Sequence, residues 1–248
     1  MILSNARLIF PEGIRAGLEL VIANGKISEI REQGNAAADG KIDLDGNFLV
    51  PGFIDLHLHG AVGRDAMEAS EEAFRAICDF HASGGTTSLL LTTVTAPMVE
   101  IIAVLKAVGD LGERIPQILG VHVEGPFISK AKHGAQREEF ISDPTPKLIE
   151  EMLEFSDVIK TVTLAPELPG ALDFIDQLRE RNIRVSGGHS DAWDEEARVA
   201  FEHGMRQVTH TFNCMSSARR RGIHRVAGLL EFALSEAEIL CELIADGH

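Results

Sequence analysis

The stretch PGFIDLHLHG, residues 51–60, divides the chain. Before it lie short strand patterns separated by turns: ARLIF, then LELVIANGKISEI with Asn24-Gly25 as a tight hairpin turn, then KIDLDGNFLV. After Pro51-Gly52 the pattern becomes short apolar runs alternating with helix-like segments, as parallel β/α construction requires. The expected division is a small β unit over residues 1–50 and a larger unit over 51–248.

In the larger unit the apolar runs FIDLHLH, TTSLLLT, ILGVHVEG, KTVTLAP, IRVSGGHS, QVTHTFN and EILCELIAD read as seven strands. Helices are expected around 70–83, 97–109, 145–154, 170–181, 193–203 and 228–237. The fold class is therefore α/β: an incomplete TIM-like (β/α)8 barrel preceded by a small N-terminal β unit. A full barrel typically takes about 250 residues, so residues 51–248 are expected to lack the last β/α step, as a C-terminally truncated fragment does.

With 248 residues, 45% of them hydrophobic, the chain can bury a sizeable core. Lys+Arg of 23 against Asp+Glu of 38 gives a net charge of −15, which speaks against nucleic-acid binding and against anionic membrane surfaces. An anionic ligand must then be held by a local positive site. Cys78, Cys214 and Cys241 show no CxxC spacing, so neither a disulfide framework nor a cysteine zinc site is expected. No run approaches eighteen apolar residues and no export signal opens the chain. The expected location is cytoplasmic.

The unusual residues fall at the ends of predicted strands: His57 and His59 on the first, Glu124 on the third, His189 on the fifth, His210 on the sixth. In a parallel barrel those ends share one rim, where catalytic groups gather. Strand side chains alternate, so His57 and His59 share a face and can reach one ion. A lone histidine in an apolar strand is more often a hydrogen-bonded core residue, and His81 and His203, on predicted helices, keep that reading. Five imidazole and carboxylate groups on one rim instead suit zinc or a similar divalent ion. His122 shares a face with Glu124, and two readings stand open for it: a group beside the ligands, or a satisfied interior histidine. The run Ala218 to Arg225 (ARRRGIHR) is a cationic patch in an acidic chain. It is either a solvated loop or a clamp whose arginine forks onto a phosphate.

PGFIDLHLHG, GTTSLLLT, GVHVEGPFIS followed by HGAQ, VTLAPE, SGGHSDA, THTFNCM and IADGH together resemble the N-acetylglucosamine-6-phosphate deacetylases of the amidohydrolase superfamily. The resemblance runs over nearly the whole chain. It implies a TIM-like barrel with a small β-sandwich built from both chain ends, hydrolysing the acetamide of an amino-sugar 6-phosphate. Glu124, His189 and His210 match the main metal ligands, and His57 and His59 match the second-metal pair of two-metal members, for one or two ions, with zinc expected. Gln136 matches a substrate-contacting position, and Asn213 with the Cys214 backbone a phosphate-contacting pair. Arg225 matches the phosphate arginine, supplied across a homodimer interface.

The family's catalytic aspartate falls beyond residue 248, so no catalytic acid–base residue is assigned within the chain, and His248 is given no role. The fragment alone is therefore expected to turn over little substrate. Where the family usually reads Arg-Glu-Pro-Gly-Leu, this chain has Arg225-Val226-Ala227-Gly228-Leu229. Two alternatives accompany the reading: an amidohydrolase acting on N-acetylgalactosamine 6-phosphate or another amide, and a noncatalytic metal-stabilised scaffold.

Overall fold

A computed structural model describes residues 1–34 and 40–245. The chain divides into two compact units, Met1–Gly52 and Phe53–His248.

The first unit is a five-stranded sheet. Strands β1 (Ile2–Phe10), β2 (Gly13–Ala23) and β3 (Lys26–Glu32) form an antiparallel meander. Short strands β4 (Lys41–Asp43) and β5 (Phe48–Leu49) pair in parallel with β1. KIDLDGNFLV is thus two strands rather than one, because Asp45 and Gly46 take left-handed backbone between them. Asn24 and Gly25 have φ of 51° and 72° and close the β2–β3 hairpin, the conformation a two-residue turn between twisted strands demands. Ala6, Leu8 and Leu20 form its buried core.

The second unit is an α/β sheet of seven parallel strands: β6 (Phe53–Leu58), β7 (Thr86–Thr92), β8 (Ile118–Glu124), β9 (Ile159–Leu164), β10 (Arg184–Gly187), β11 (Met205–Val208) and β12 (Leu240–Cys241). Each pairs with its neighbours in chain order, the winding of an incomplete (β/α)8 barrel. Helices α1 (Glu71–Ser83), α2 (Met98–Leu111), α3 (Pro146–Leu153), α4 (Ala171–Glu180), α5 (Asp194–His203) and α6 (Leu229–Ser235) fall in the connections.

Local chemistry accounts for these helices. Ser70 caps α1 by accepting from the Ala73 N–H, and Thr145 caps α3, whose first residue, Pro146, has its φ preset for the helix. In α2, Ile101, Val104, Leu105, Val108 and Leu111 recur at helical spacing and are the residues it buries. Phe127 and Phe174, both fully buried, meet edge to face at 5.4 Å. Among the described residues no helix is long and apolar enough to cross a membrane.

The strands IRVSGGHS and QVTHTFN stop earlier than their apolar pattern, at Gly187 and Val208. Beyond them His189 and His210 take φ of 46° and 32°, so both histidines stand on the loops that leave the sheet rather than on strand ends. Gly188 permits the bend by close packing: a Cβ there would lie 2.8 Å from the Thr209 Cβ and 2.9 Å from the Thr163 Cγ2. EILCELIAD is likewise a strand only at Leu240–Cys241.

Candidate metal centre

Five side chains meet at the C-terminal rim of the parallel sheet. Glu124 ends β8, His57 lies on β6 with His59 just past it, and His189 and His210 follow β10 and β11. The Glu124 Oε1 lies 3.2 Å from the His210 Nε2, 3.3 Å from the His189 Nε2 and 3.5 Å from the His57 Nε2. Its Oε2 lies 3.3 Å from the His59 Nε2. The Nε2 atoms of His57 and His59 are 3.3 Å apart, and those of His189 and His210 3.0 Å. Two three-residue sets result, Glu124–His189–His210 and His57–His59–Glu124, with the carboxylate common to both.

For three of the four rings the far side indicates which nitrogen carries the proton; the His210 Nδ1 is buried without a partner among the described residues. The His189 Nδ1 faces the Lys132 carbonyl at 2.9 Å, and the His59 Nδ1 faces the Thr92 carbonyl at 3.2 Å. The His57 Nδ1 faces the Glu242 carboxylate at 3.1 Å. A carbonyl or carboxylate only accepts, so each Nδ1 donates and each neutral ring turns an Nε2 lone pair inward. Lone pairs gathered around a carboxylate repel unless a cation or added protons lie among them. The Glu124 Oε1, buried and without a hydrogen bond among the described residues, faces the same point. Imidazole nitrogens with outer hydrogen bonds, grouped on a carboxylate, form a donor set that fits a divalent metal ion.

The electrostatics agree. Burial alone raises the Glu124 pKa, but the imidazoles of His189, His210 and His59 outweigh it and hold the carboxyl well below its usual range. For His59 and His210 burial disfavours the charged ring, yet the Glu124 carboxylate more than offsets it and their pKa values rise.

Gln136 touches the cluster directly. Its Nε2 donates to the Glu124 Oε2 at 2.6 Å while its Oε1 accepts from the Thr95 N–H at 2.7 Å, so the amide has one sensible orientation. Cys214 follows His210 on the same loop, and its carbonyl accepts from the Ser190 N–H at 3.1 Å. The Asn213 side chain is exposed. Arg225 is exposed on a hairpin pairing Arg219–Arg221 with His224–Val226, and among the described residues its side chain has no ion pair. Two of the other arginines in the run are neutralised locally: Arg219 and Arg221 lie 4.0 and 4.8 Å from the Trp193 ring and pair with Asp191 and Glu195, whereas Arg220, like Arg225, is exposed. His248 lies outside the described residues.

His122 is a satisfied interior histidine that also lies beside the cluster, its ring centroid 4.7 Å from that of His57. It is fully buried, its Nδ1 faces the Leu56 carbonyl at 3.2 Å and its Nε2 the Thr163 hydroxyl at 2.7 Å. Burial, with His57 adding to it, lowers its pKa to about 4, so the ring is neutral.

Two carboxylates went unread in the sequence. Glu167 accepts from the Ser190 hydroxyl at 2.7 Å and the Asp191 N–H at 2.6 Å, bracing the loop that carries His189. Glu242 faces His57, and its one local signal was an acid interrupting the apolar run ILCELIA; the strand expected over EILCELIAD placed it in the interior, whereas the strand ends at Cys241. A cleft of about 850 Å³ opens here, lined by His57, His59, His210 and Glu242 on its polar side and by Phe53, Ile54, Leu56 and Leu243 on its apolar side.

A family model described as the amidohydrolase family matches residues 48–248. The chain is similar to the N-acetylglucosamine-6-phosphate deacetylase of Lysinibacillus sphaericus, 33% identical over 248 residues, covering 98% of this chain and 64% of that protein. It is also similar to the N-acetylgalactosamine-6-phosphate deacetylase of Escherichia coli O157:H7, 33% identical, with 100% of this chain and 64% of the other covered. The crystal structure of N-acetylglucosamine-6-phosphate deacetylase from Pasteurella multocida superposes with a TM-score of 0.90 at 34% identity, over 99% of this chain and 64% of that one. The chain thus spans about 64% of the length of these proteins.

Proposed function

Because the chain belongs to the amidohydrolase family, we propose that the whole protein is a metal-dependent deacetylase that converts N-acetylglucosamine 6-phosphate to glucosamine 6-phosphate and acetate. The observation that carries the reading is the convergence of three inward-facing Nε2 atoms and the His210 ring on one buried carboxylate, in a chain whose relatives bear deacetylase names. Glu124, His189 and His210 are proposed to hold one zinc ion, and His57 and His59, sharing Glu124, a second. Such an ion polarises an amide carbonyl and lowers the pKa of water, which is what hydrolysis of an acetamide needs.

The chain's own residues supply the surroundings. Gln136 fixes the Glu124 carboxylate and presents an amide to the substrate. The outer hydrogen bonds of His57, His59 and His189 keep their rings turned inward. Asn213, the Cys214 backbone and Arg225 are assigned to the 6-phosphate, with Arg225 reaching across a homodimer, and the location proposed is the cytoplasm. Proton transfer is assigned to the family's aspartate beyond residue 248, so residues 1–248 alone are proposed to bind metal with little turnover.

The E. coli relative's name favours a second reading in which the sugar is N-acetylgalactosamine 6-phosphate. Acetate release by the whole protein from both sugar phosphates and from unphosphorylated N-acetylglucosamine separates these readings. Equal rates on the unphosphorylated sugar would overturn the sugar-phosphate assignment. Absence of turnover on any amide, with metal bound, would leave a noncatalytic scaffold.

A further inference from the structure

Glu242 belongs to neither ligand set around Glu124. It directly follows β12 in an otherwise apolar run, and only 13% of its side chain is exposed. Its carboxylate accepts three hydrogen bonds from three places. Oε1 takes the Gln207 side-chain amide. Oε2 takes the backbone N–H of His210 at 3.0 Å and the Nδ1 of His57 at 3.1 Å. The backbone of Glu242 is fixed as well, its N–H donating to the Val208 carbonyl at 3.1 Å and its carbonyl accepting from the Thr211 N–H at 3.0 Å. One side chain thereby grips a ring on β6, at one end of the strand order, and a loop following β11, next to the other end.

We propose that Glu242 is a positioning residue for a divalent-metal centre: it holds His57 with Nε2 turned inward, pins the His210 backbone, and so decides whether the His57–His59 pair retains an ion. The inference rests on the metal reading proposed above. An ionised carboxylate only accepts, so a ring that bonds to it through Nδ1 keeps its lone pair on Nε2. His59 takes the same tautomer from the Thr92 carbonyl, a backbone group no substitution removes, whereas for His57 the orienting group is a side chain.

The same atoms suggest a competing use. His57, His122 and Glu242 offer ligand atoms within 4.8 Å of one another, as a separate metal site requires. The hydrogen bonds argue against it, because both His122 nitrogens are engaged and both Glu242 oxygens already accept. An ion there would have to break bonds that a positioning role uses.

The test strips the purified chain of metal with a chelator, titrates it with zinc by calorimetry and counts bound metal by elemental analysis. Glu242→Ala is expected to weaken the class of sites that His57→Ala abolishes by about 10- to 100-fold, the usual range for a group that orients a ligand. Glu242→Gln, which can still accept from His57, is expected to lose less. Nitrogen-15 spectra of the metal-free chain, with His57 assigned by its loss in His57→Ala, should show the Nδ1–H tautomer in the wild type and a mixture in Glu242→Ala. Should the alanine variant fail to fold, the glutamine variant and the wild-type spectrum decide. Unchanged zinc affinity in the folded variants, or a wild-type His57 protonated on Nε2, overturns the inference. A wild-type chain that binds no zinc overturns the metal reading instead, and the tautomer still reports what Glu242 does to His57.

Discussion

The two candidate ligand sets share Glu124 but are built differently. His189 and His210 stand on loops in left-handed backbone and are deeply set, with 5% and 14% of their side chains exposed. His57 and His59 come from β6 and its end, without left-handed backbone, and expose 17% and 38%. A non-glycine residue in a sparsely populated region costs on the order of 1–3 kcal/mol and persists only where its surroundings over-determine it. The chain meets that cost twice for the loop set, which the Glu167 brace and the tight Gly188 contacts then hold. The strand pair carries no such cost and owes its precision to hydrogen bonds on its outer nitrogens. The loop set is therefore proposed as the preorganised site, with the strand pair added to it.

The largest effect is expected where the sets overlap. Glu124→Gln removes the shared anion, and zinc bound per chain should fall from the wild-type value to none, with an affinity loss above about 100-fold. Retention of one tight ion would break the idea of a common carboxylate. Next come the sets taken singly. His189→Ala should abolish the tight class, whereas His57→Ala should leave one tight ion per chain and remove only the weaker one. The reverse order in elemental analysis would invert the comparison.

Acidity sharpens it further. The Glu124 carboxylate raises the pKa of His59 and His210 above the ordinary 6.5, so in the metal-free protein their contribution to stability is full below that value and is lost as pH rises through the raised folded pKa. Glu124 is shifted the other way, and its contribution is present above 4.5 and lost as pH falls. With chelator present, Tm should decline as pH is raised past 6.5. Zinc affinity should climb over the same interval, because the ion competes with those protons. A Tm that is flat across this interval in chelator would mean that the carboxylate does not hold the imidazole protons.

Much of the barrel was readable because each strand falls in a short, largely apolar stretch and each helix carries its own start signal or burial stripe, as Ser70, Thr145-Pro146 and the α2 residues show. The five converging residues were readable because each interrupts or ends such a run. What stayed hidden was non-local. Glu167 and Ser190 are 23 residues apart, Arg219 and Asp191 are 28 apart, and no periodicity links either pair. The early ends of β10 and β11 come with left-handed backbone at His189 and His210, which the apolar patterns of IRVSGGHS and QVTHTFN do not encode. Glu242 carried a local mark, but the pattern ILCELIA weighted it as strand interior.

The smallest effect on the metal centre is expected at the cationic hairpin, and it separates metal from phosphate. Arg219 bonds to Asp191, two residues past His189, and packs on Trp193, so Arg219→Ala is expected to loosen the loop that carries His189. Loss of a charge-assisted hydrogen bond of this kind costs about 1.5–3 kcal/mol at most, and less at a side chain that is about one-third exposed. Arg225 has neither contact, so Arg225→Ala should change stability by less than about 0.5 kcal/mol and leave zinc affinity and stoichiometry as they were. If Arg225 takes the 6-phosphate, the same substitution in the whole protein raises KM for the phosphorylated sugar with little change in kcat, and has no effect on the unphosphorylated one. A fall in zinc affinity in Arg225→Ala would instead tie the hairpin to the metal cluster and remove the distinction between the deeply held loop ligands and the groups around them.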